Sequence, residues 1–128
     1  MLEPTWEGSV SRKYKILLAE DELLVSRLLQ RYLQSIGFEV VAAANGREAL
    51  ALYRSEAPDL LVSDVDMPEM DGLQLLLSIR ETDRTLPAIL VSGQGDPEAG
   101  RGDRDYRFMS KPLELDELRE QIALAIAS

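Results

Sequence analysis

The sequence predicts a three-layer α/β domain with five parallel strands doubly wound between helices. Three observations carry this. Short, unbroken apolar runs such as Ile16-Leu17-Leu18-Ala19, Leu60-Leu61-Val62-Ser63 and Ala88-Ile89-Leu90-Val91 suit strands buried on both faces. Between them lie segments with apolar residues at helical spacing. Strand and helix then alternate about five times along 128 residues, which is the order that builds a parallel sheet covered on both sides.

The elements follow in order. Residues 1–13 read as a flexible lead-in containing Pro4, Gly8 and Trp6. After strand one, Val25, Leu28, Leu29, Tyr32, Leu33 and Ile36 form a helical stripe, stopped by Gly37. Residues 38–42 read as the second strand. Asn45-Gly46-Arg47-Glu48 has the form of a capped helix start, and Ala49, Leu50, Tyr53 and Ala57 supply that helix's apolar face before Pro58. Leu60 to Ser63 form the third strand. Asp71-Gly72 opens a helix with Leu73, Leu76, Leu77 and Arg80 on one stripe. Pro87 leads into strand four, and residues 106–109 are a weaker fifth strand. A last helix over 114–127 turns Leu115, Leu118, Ile122 and Ala125 inward.

Composition removes whole classes of chemistry. There is no cysteine, so disulfides, thiol catalysis and zinc–thiolate sites are excluded. There is no histidine, which removes His-based triads and imidazole metal ligands. The net charge of -9 argues against direct binding of nucleic acid and against anionic membrane surfaces. No segment resembles a secretory signal, and no run approaches the roughly 20 apolar residues of a membrane span, so a cytoplasmic location is expected.

In folds of this class, ligands bind beyond the carboxyl ends of the strands. Strand one ends in Glu20-Asp21-Glu22, strand three in Asp64, strand four in Ser92 and strand five in Lys111-Pro112. Several carboxylates thus converge beside one hydroxyl and one ammonium. Two like charges about 4 Å apart repel by roughly 4 kcal/mol at an effective dielectric near 20, and Lys111 can neutralise only one of them. The remainder must protonate, spread into solvent or bind a cation. Oxygen-only ligands select a hard cation, and Mg²⁺ suits a site that keeps several waters. Asp21 and Asp64 are the expected Mg²⁺ ligands, with Glu20 ligating directly or through water. Such a site fits a transferable phosphoryl group: an Asp64 carboxylate oxygen attacks in line, Lys111 offsets charge on the phosphoryl oxygens, and Ser92 donates a hydrogen bond to one of them.

Each signal taken alone has a plainer reading. Acids after strand one are commonly a solvated helix start. Asp64 alone could be an ordinary loop aspartate or a Walker B acid, but no G-x-x-x-x-G-K-[ST] occurs to support nucleotide hydrolysis. Ser92-Gly93 alone is a routine turn, and Tyr106 and Phe108 alone are packing residues. Their combination, each residue type at its own strand end, favours phosphoryl chemistry.

The run Asp64-Val65-Asp66-Met67-Pro68-Glu69-Met70-Asp71-Gly72, with Glu20-Asp21, Ser92-Gly93 and Lys111-Pro112, closely resembles the receiver domains of response regulators, the CheY-like domains of two-component and phosphorelay signalling. The resemblance runs from about residue 14 to 127 and frames a receiver domain over 14–128. It implies a flavodoxin-like strand order, 2-1-3-4-5. It also implies that Asp64 takes a phosphoryl group from a histidine of a kinase or a phosphotransfer protein. Asp21, Asp64 and the backbone carbonyl of Asp66 would hold Mg²⁺, or Mn²⁺ in its place, with Glu20 beside them. Ser92 and Phe108 would be switch residues, Lys111 would pair with the phosphoryl oxygens, and the Lys111–Pro112 bond would be cis. The output partner is not implied. No output domain follows Ser128 in this sequence, which fits either a free-standing receiver or one cut from a longer chain.

Two features depart from the family pattern. Residues 93–105 carry four glycines and Pro97 among charged residues, too poor in helix formers for the family's fourth helix. A single helical turn or a mobile loop is expected there. Asp66 and Gln94, each two residues after a site residue, stand where the family's dephosphorylation water is flanked.

A different class is also compatible with Asp64-Val65-Asp66: the D-x-D of haloacid-dehalogenase-type aspartyl-phosphate phosphatases, in which the first Asp is the nucleophile and the second the acid/base. Against it, the motif lies mid-chain, the acidic partners precede it, and 128 residues leave no room for a cap domain. A third reading is a degenerate receiver acting as a constitutive scaffold. The receiver reading makes the chain a signalling switch rather than a multiple-turnover metabolic enzyme.

Overall fold

The computed structural model describes residues 13–100 and 105–127. The lead-in over residues 1–13 lies almost wholly outside them. The elements are β1 (Lys15–Ala19), α1 (Leu23–Ser35), β2 (Glu39–Ala43), α2 (Gly46–Glu56), β3 (Leu60–Asp64), α3 (Gly72–Arg80), β4 (Ala88–Ser92), β5 (Arg107–Ser110) and α4 (Leu115–Ala127). The strands form one sheet in the order β2-β1-β3-β4-β5, and every pairing is parallel. The fold is the expected flavodoxin-like one. No described helix is long and apolar enough to cross a membrane.

The continuous apolar strands still alternate. Ile16 and Leu18 of β1, Leu60 and Val62 of β3, and Ile89 and Val91 of β4 point to one side, where Leu29 and Leu33 of α1 and Leu118 and Ile122 of α4 cover them. Leu17, Leu61 and Leu90 point to the other, against Ala49 of α2 and Leu75, Leu76 and Ile79 of α3. Each fully buried Leu or Ile contributes about 1.5–3 kcal/mol, so both layers are needed to hold the central strands.

The helix ends show why their boundaries lie where they do. Asn45 caps α2 by accepting the Glu48 N–H at 2.8 Å. Glu48 reaches back one residue further than an ordinary capping box, to the Ala44 N–H at 2.6 Å. Asp71 and Gln74 form a full capping box on α3. Gly37, at φ 107°, lets the chain leave α1 and turn into β2. We expect Asn45→Ala to cost about 1 kcal/mol in urea unfolding, because the Glu48 N–H loses its acceptor.

Three sequence expectations need correction. The buried stripe of α3 is Leu75, Leu76 and Ile79, whereas Leu77 is 56 % exposed. Leu28 of α1 is also exposed, and Ser26 is buried in its stead. Strands β2 and β5 each begin one residue later than expected, at Glu39 and Arg107.

No helix lies between β4 and β5 among the described residues, so four helices cover the sheet. A single turn at residues 97–100 takes that place, closed by the Ala99 N–H donating to the Asp96 carbonyl at 3.1 Å. Gly95, before the turn, and Gly100, its last residue, both adopt left-handed φ. The buried Tyr106 anchors the segment, its hydroxyl donating to Asp96 Oδ1 at 2.6 Å. Residues 101–104 lie outside the described part.

Candidate functional site

Sheet hydrogen bonding runs one residue past the strands and so fixes where the site residues stand. The Glu20 N–H donates to the Ala43 carbonyl at 3.0 Å, Val65 N–H to Val91 at 2.8 Å, and Lys111 N–H to Ser92 at 3.0 Å. Together with the β1–β3 pairing that sets Ala19 opposite Ser63, these bonds register the carboxyl ends of all five strands along one edge. Asp64, Glu20 and Ser92 are buried there, while Asp21 and Asp66 are exposed.

Asp64 is held on both oxygens. Its Oδ1 accepts the Asp66 N–H at 3.1 Å, and its Oδ2 accepts from the Lys111 ammonium at 2.8 Å. The same ammonium lies 3.8 Å from Glu20 Oε1. Glu20 Oε2 accepts the Glu22 N–H at 3.0 Å. Burial pushes the Glu20 carboxyl above its ordinary range, and the charge of Asp64 adds to this. Burial alone would lower the Lys111 ammonium, but the bond to Asp64 and the charges of Asp64, Glu20 and Glu22 outweigh it and raise it. The site therefore keeps its single lysine charged.

Oxygens of Glu20, Asp21 and Asp64 all lie within 4.8 Å of one another. Oxygens on opposite sides of a Mg²⁺ ion at about 2.1 Å stand about 4.2 Å apart. This all-oxygen set therefore fits a small hard cation with slight closure, and water can complete its shell.

The remaining predicted residues are placed less simply. Ser92 makes no hydrogen bond to Asp64. Its hydroxyl donates to Asp66 Oδ2 at 2.9 Å and accepts the Gln94 N–H at 2.9 Å. Phe108 is half-buried beside Tyr106, against the α2–α3 side of the sheet. The Lys111–Pro112 bond is cis.

Sequence reasoning missed two glycines that hold the loop after β3. A Cβ on Gly72 would stand 2.3 Å from the Asp64 carbonyl oxygen and 3.0 Å from Ser63 Oγ. A Cβ on Gly46 would stand 2.3 Å from the Met70 carbonyl oxygen. The start of α2 and the start of α3 thus press on the loop from two sides. Both glycines follow a capping residue, which made them look like ordinary helix starts. Gly72→Ala is expected to cost about 1–3 kcal/mol, because the obstacle is backbone, and to lower the melting temperature by roughly 4 °C per kcal/mol in a calorimetric scan.

Comparison with known proteins agrees with this geometry. The family model described as "Response regulator receiver domain" matches residues 16–123. A probable transcriptional regulator, ycf27 of Cyanophora paradoxa, is 37 % identical over 117 residues, covering 86 % of this chain and 47 % of that protein. The chain spans about half the length of the curated relatives it matches. Among solved structures, a response regulator receiver protein from Sinorhizobium medicae superposes with a TM-score of 0.82 at 28 % identity, covering 91 % of this chain and 97 % of that one. The CheX–CheY–BeF3–Mg complex from Borrelia burgdorferi gives a TM-score of 0.79 at 25 % identity, covering 90 % of each chain. The phosphatase alternative is set aside, since the matched family is one of signalling regulators rather than metabolic enzymes. The two-sided parallel sheet, the acid–lysine cluster at its edge and a family match over most of the chain agree: this protein belongs to the response-regulator receiver family.

Proposed function

We propose that the receiver unit, taken as residues 14–128, is a phosphorylation switch in which Asp64 accepts a phosphoryl group from a phosphohistidine on a partner kinase or phosphotransfer protein. The observation that carries this is Asp64 itself: a buried carboxylate at a strand end, held on one oxygen by a backbone N–H and on the other by an ammonium. The fixed orientation lowers the entropic part of the barrier. A carboxylate oxygen forms the new O–P bond as the P–N bond breaks, and its electron pair leaves with the imidazole nitrogen. Lys111 then faces the phosphoryl oxygens, and Ser92 donates to one of them after leaving its present partners. Phe108, already half-buried, turns further inward. The added charge of about -1.5 to -2 shifts the balance between two conformations and thereby controls an output partner.

Glu20, Asp21 and Asp64, with the backbone carbonyl of Asp66, would hold Mg²⁺ or Mn²⁺. When bound, the cation offsets charge on the phosphoryl oxygens. The Borrelia CheX–CheY complex contains BeF3 and Mg, which supports this assignment. The donor's docking surface lies beside the site on α1, where Leu23, Leu24 and Leu28 are 61 %, 79 % and 58 % exposed.

Incubation with acetyl phosphate and Mg²⁺, followed by intact-mass measurement, tests the reading. The expected result is a gain of one phosphoryl group per chain. An unchanged mass would favour the degenerate scaffold instead. Mg²⁺ alone is expected to stabilise the fold by about 2.7 kcal/mol at a hundred times its dissociation constant, read as a rise in melting temperature that Asp21→Ala removes.

A further inference from the structure

Ser92 has two hydrogen-bond partners in its buried position, and Asp64 is neither of them. A hydroxyl carries a single proton. While that proton points to Asp66 Oδ2, it cannot be given to an oxygen on Asp64. We propose that the Asp66 side chain is a latch: it holds the Ser92 hydroxyl in the unmodified protein and so sets how readily Ser92 engages an anion on Asp64. The proposal rests on the phosphoacceptor reading above and assigns the regulation of that same site.

Asp66 suits this role through both of its functional parts. Its N–H holds Asp64 Oδ1 at 3.1 Å, while its carboxylate holds Ser92 at 2.9 Å. The turn between them is kept tight by the Met67 N–H donating to the Val65 carbonyl at 3.1 Å. One residue therefore touches both the acceptor and the hydroxyl that answers it. A charged acceptor makes the bond stronger than a neutral one would. It also makes the latch sensitive to the modification. A phosphoryl group on Asp64 adds about -1.5 to -2 charge two residues away, which repels the Asp66 carboxylate and weakens its hold on Ser92.

Release has a second consequence. The Gln94 N–H loses its acceptor when the hydroxyl moves. Gln94 begins the segment that stands where other receivers carry a helix, and that segment is anchored further on at Asp96 by Tyr106. Opening the latch therefore loosens the near end of the segment and leaves the far end pinned. Asp66 is a positioning residue, acting through Ser92.

The test is a double-mutant cycle read by beryllofluoride, a mimic of the acyl phosphate, titrated with Mg²⁺ into the whole chain. Asp66→Ala is expected to tighten beryllofluoride binding about tenfold, the size of one hydrogen bond to a partly exposed charge. In a Ser92→Ala background the same substitution should change binding by less than about twofold, since nothing is left to release. Asp66→Asn keeps an acceptor oxygen without the charge, and its gain should be intermediate. An equal gain with and without Ser92 would mean simple charge repulsion and would overturn the latch, as would no gain at all. Amide exchange without beryllofluoride gives an independent readout: the Gln94 N–H should exchange faster in Asp66→Ala, and unchanged exchange also overturns the latch. If the wild type binds no beryllofluoride, the phosphoacceptor reading itself fails, an outcome distinct from binding that is insensitive to Asp66.

Discussion

Replacing Asp64 with alanine should abolish phosphoryl uptake from acetyl phosphate and Mg²⁺, leaving the intact mass unchanged where the wild type gains one phosphoryl group. Nearby carboxylates are poor substitutes. Glu20 is buried, with one oxygen accepting the Glu22 N–H and the other facing Lys111, and burial favours its protonated, non-nucleophilic form. Asp66 has one oxygen taken by Ser92. Asp21 is exposed, with no ammonium placed beside it among the described residues. Asp64→Asn should lose uptake equally while keeping the fold, because its amide oxygen can still accept the Asp66 N–H. Thermal unfolding of Asp64→Asn within a few degrees of wild type, together with no label, separates lost chemistry from lost structure. Full labelling of Asp64→Ala would move the acceptor to another residue and overturn the assignment.

The residues of this site were legible because each stands at the end of a strand that the sequence marks plainly. A four-residue apolar run followed at once by an acid, a serine or a lysine places the polar residue at the sheet edge with little freedom. Helix faces were less legible. Leu73, Leu75, Leu76 and Leu77 crowd α3, so helical spacing admits more than one stripe, and only packing against Leu61 and Leu90 selects Leu75, Leu76 and Ile79. The exposure of Leu28 has a related cause: α1 has more leucines than its buried face needs. The lack of a helix after β4 among the described residues follows from the glycines there, but the Tyr106–Asp96 anchor is not legible, since it joins residues whose approach depends on the loop's path. The Ser92–Asp66 bond was hidden for the same reason, being 26 residues apart in sequence. The close contacts of Gly46 and Gly72 could be seen only with the backbone of the loop in place.

Lys111→Met should give the second large effect, because it removes the ammonium from two buried carboxylates at once. Lys111 lies 2.8 Å from Asp64 Oδ2 and 3.8 Å from Glu20 Oε1, and no other cation pairs with either among the described residues. Breaking a fully buried pair costs about 3–5 kcal/mol. The lysine side chain here is 30 % exposed, so water recovers part of that, and a loss of about 2 kcal/mol in metal-free urea unfolding is expected. The sign with pH follows from Glu20. Its folded carboxyl is raised above the ordinary value of 4.5, so the folded state holds its proton where the unfolded state has lost it, and stability falls as pH rises through that range. Without the ammonium the carboxyl should rise further. The deficit of Lys111→Met should therefore be full near neutral pH and shrink as the pH drops toward 4.5. A cation bound by the same carboxylates would take over the missing charge, so Mg²⁺ should raise the melting temperature of Lys111→Met more than that of wild type. A deficit that is unchanged in acid and unaffected by Mg²⁺ would show that Lys111 acts here through packing of its chain and not through its charge.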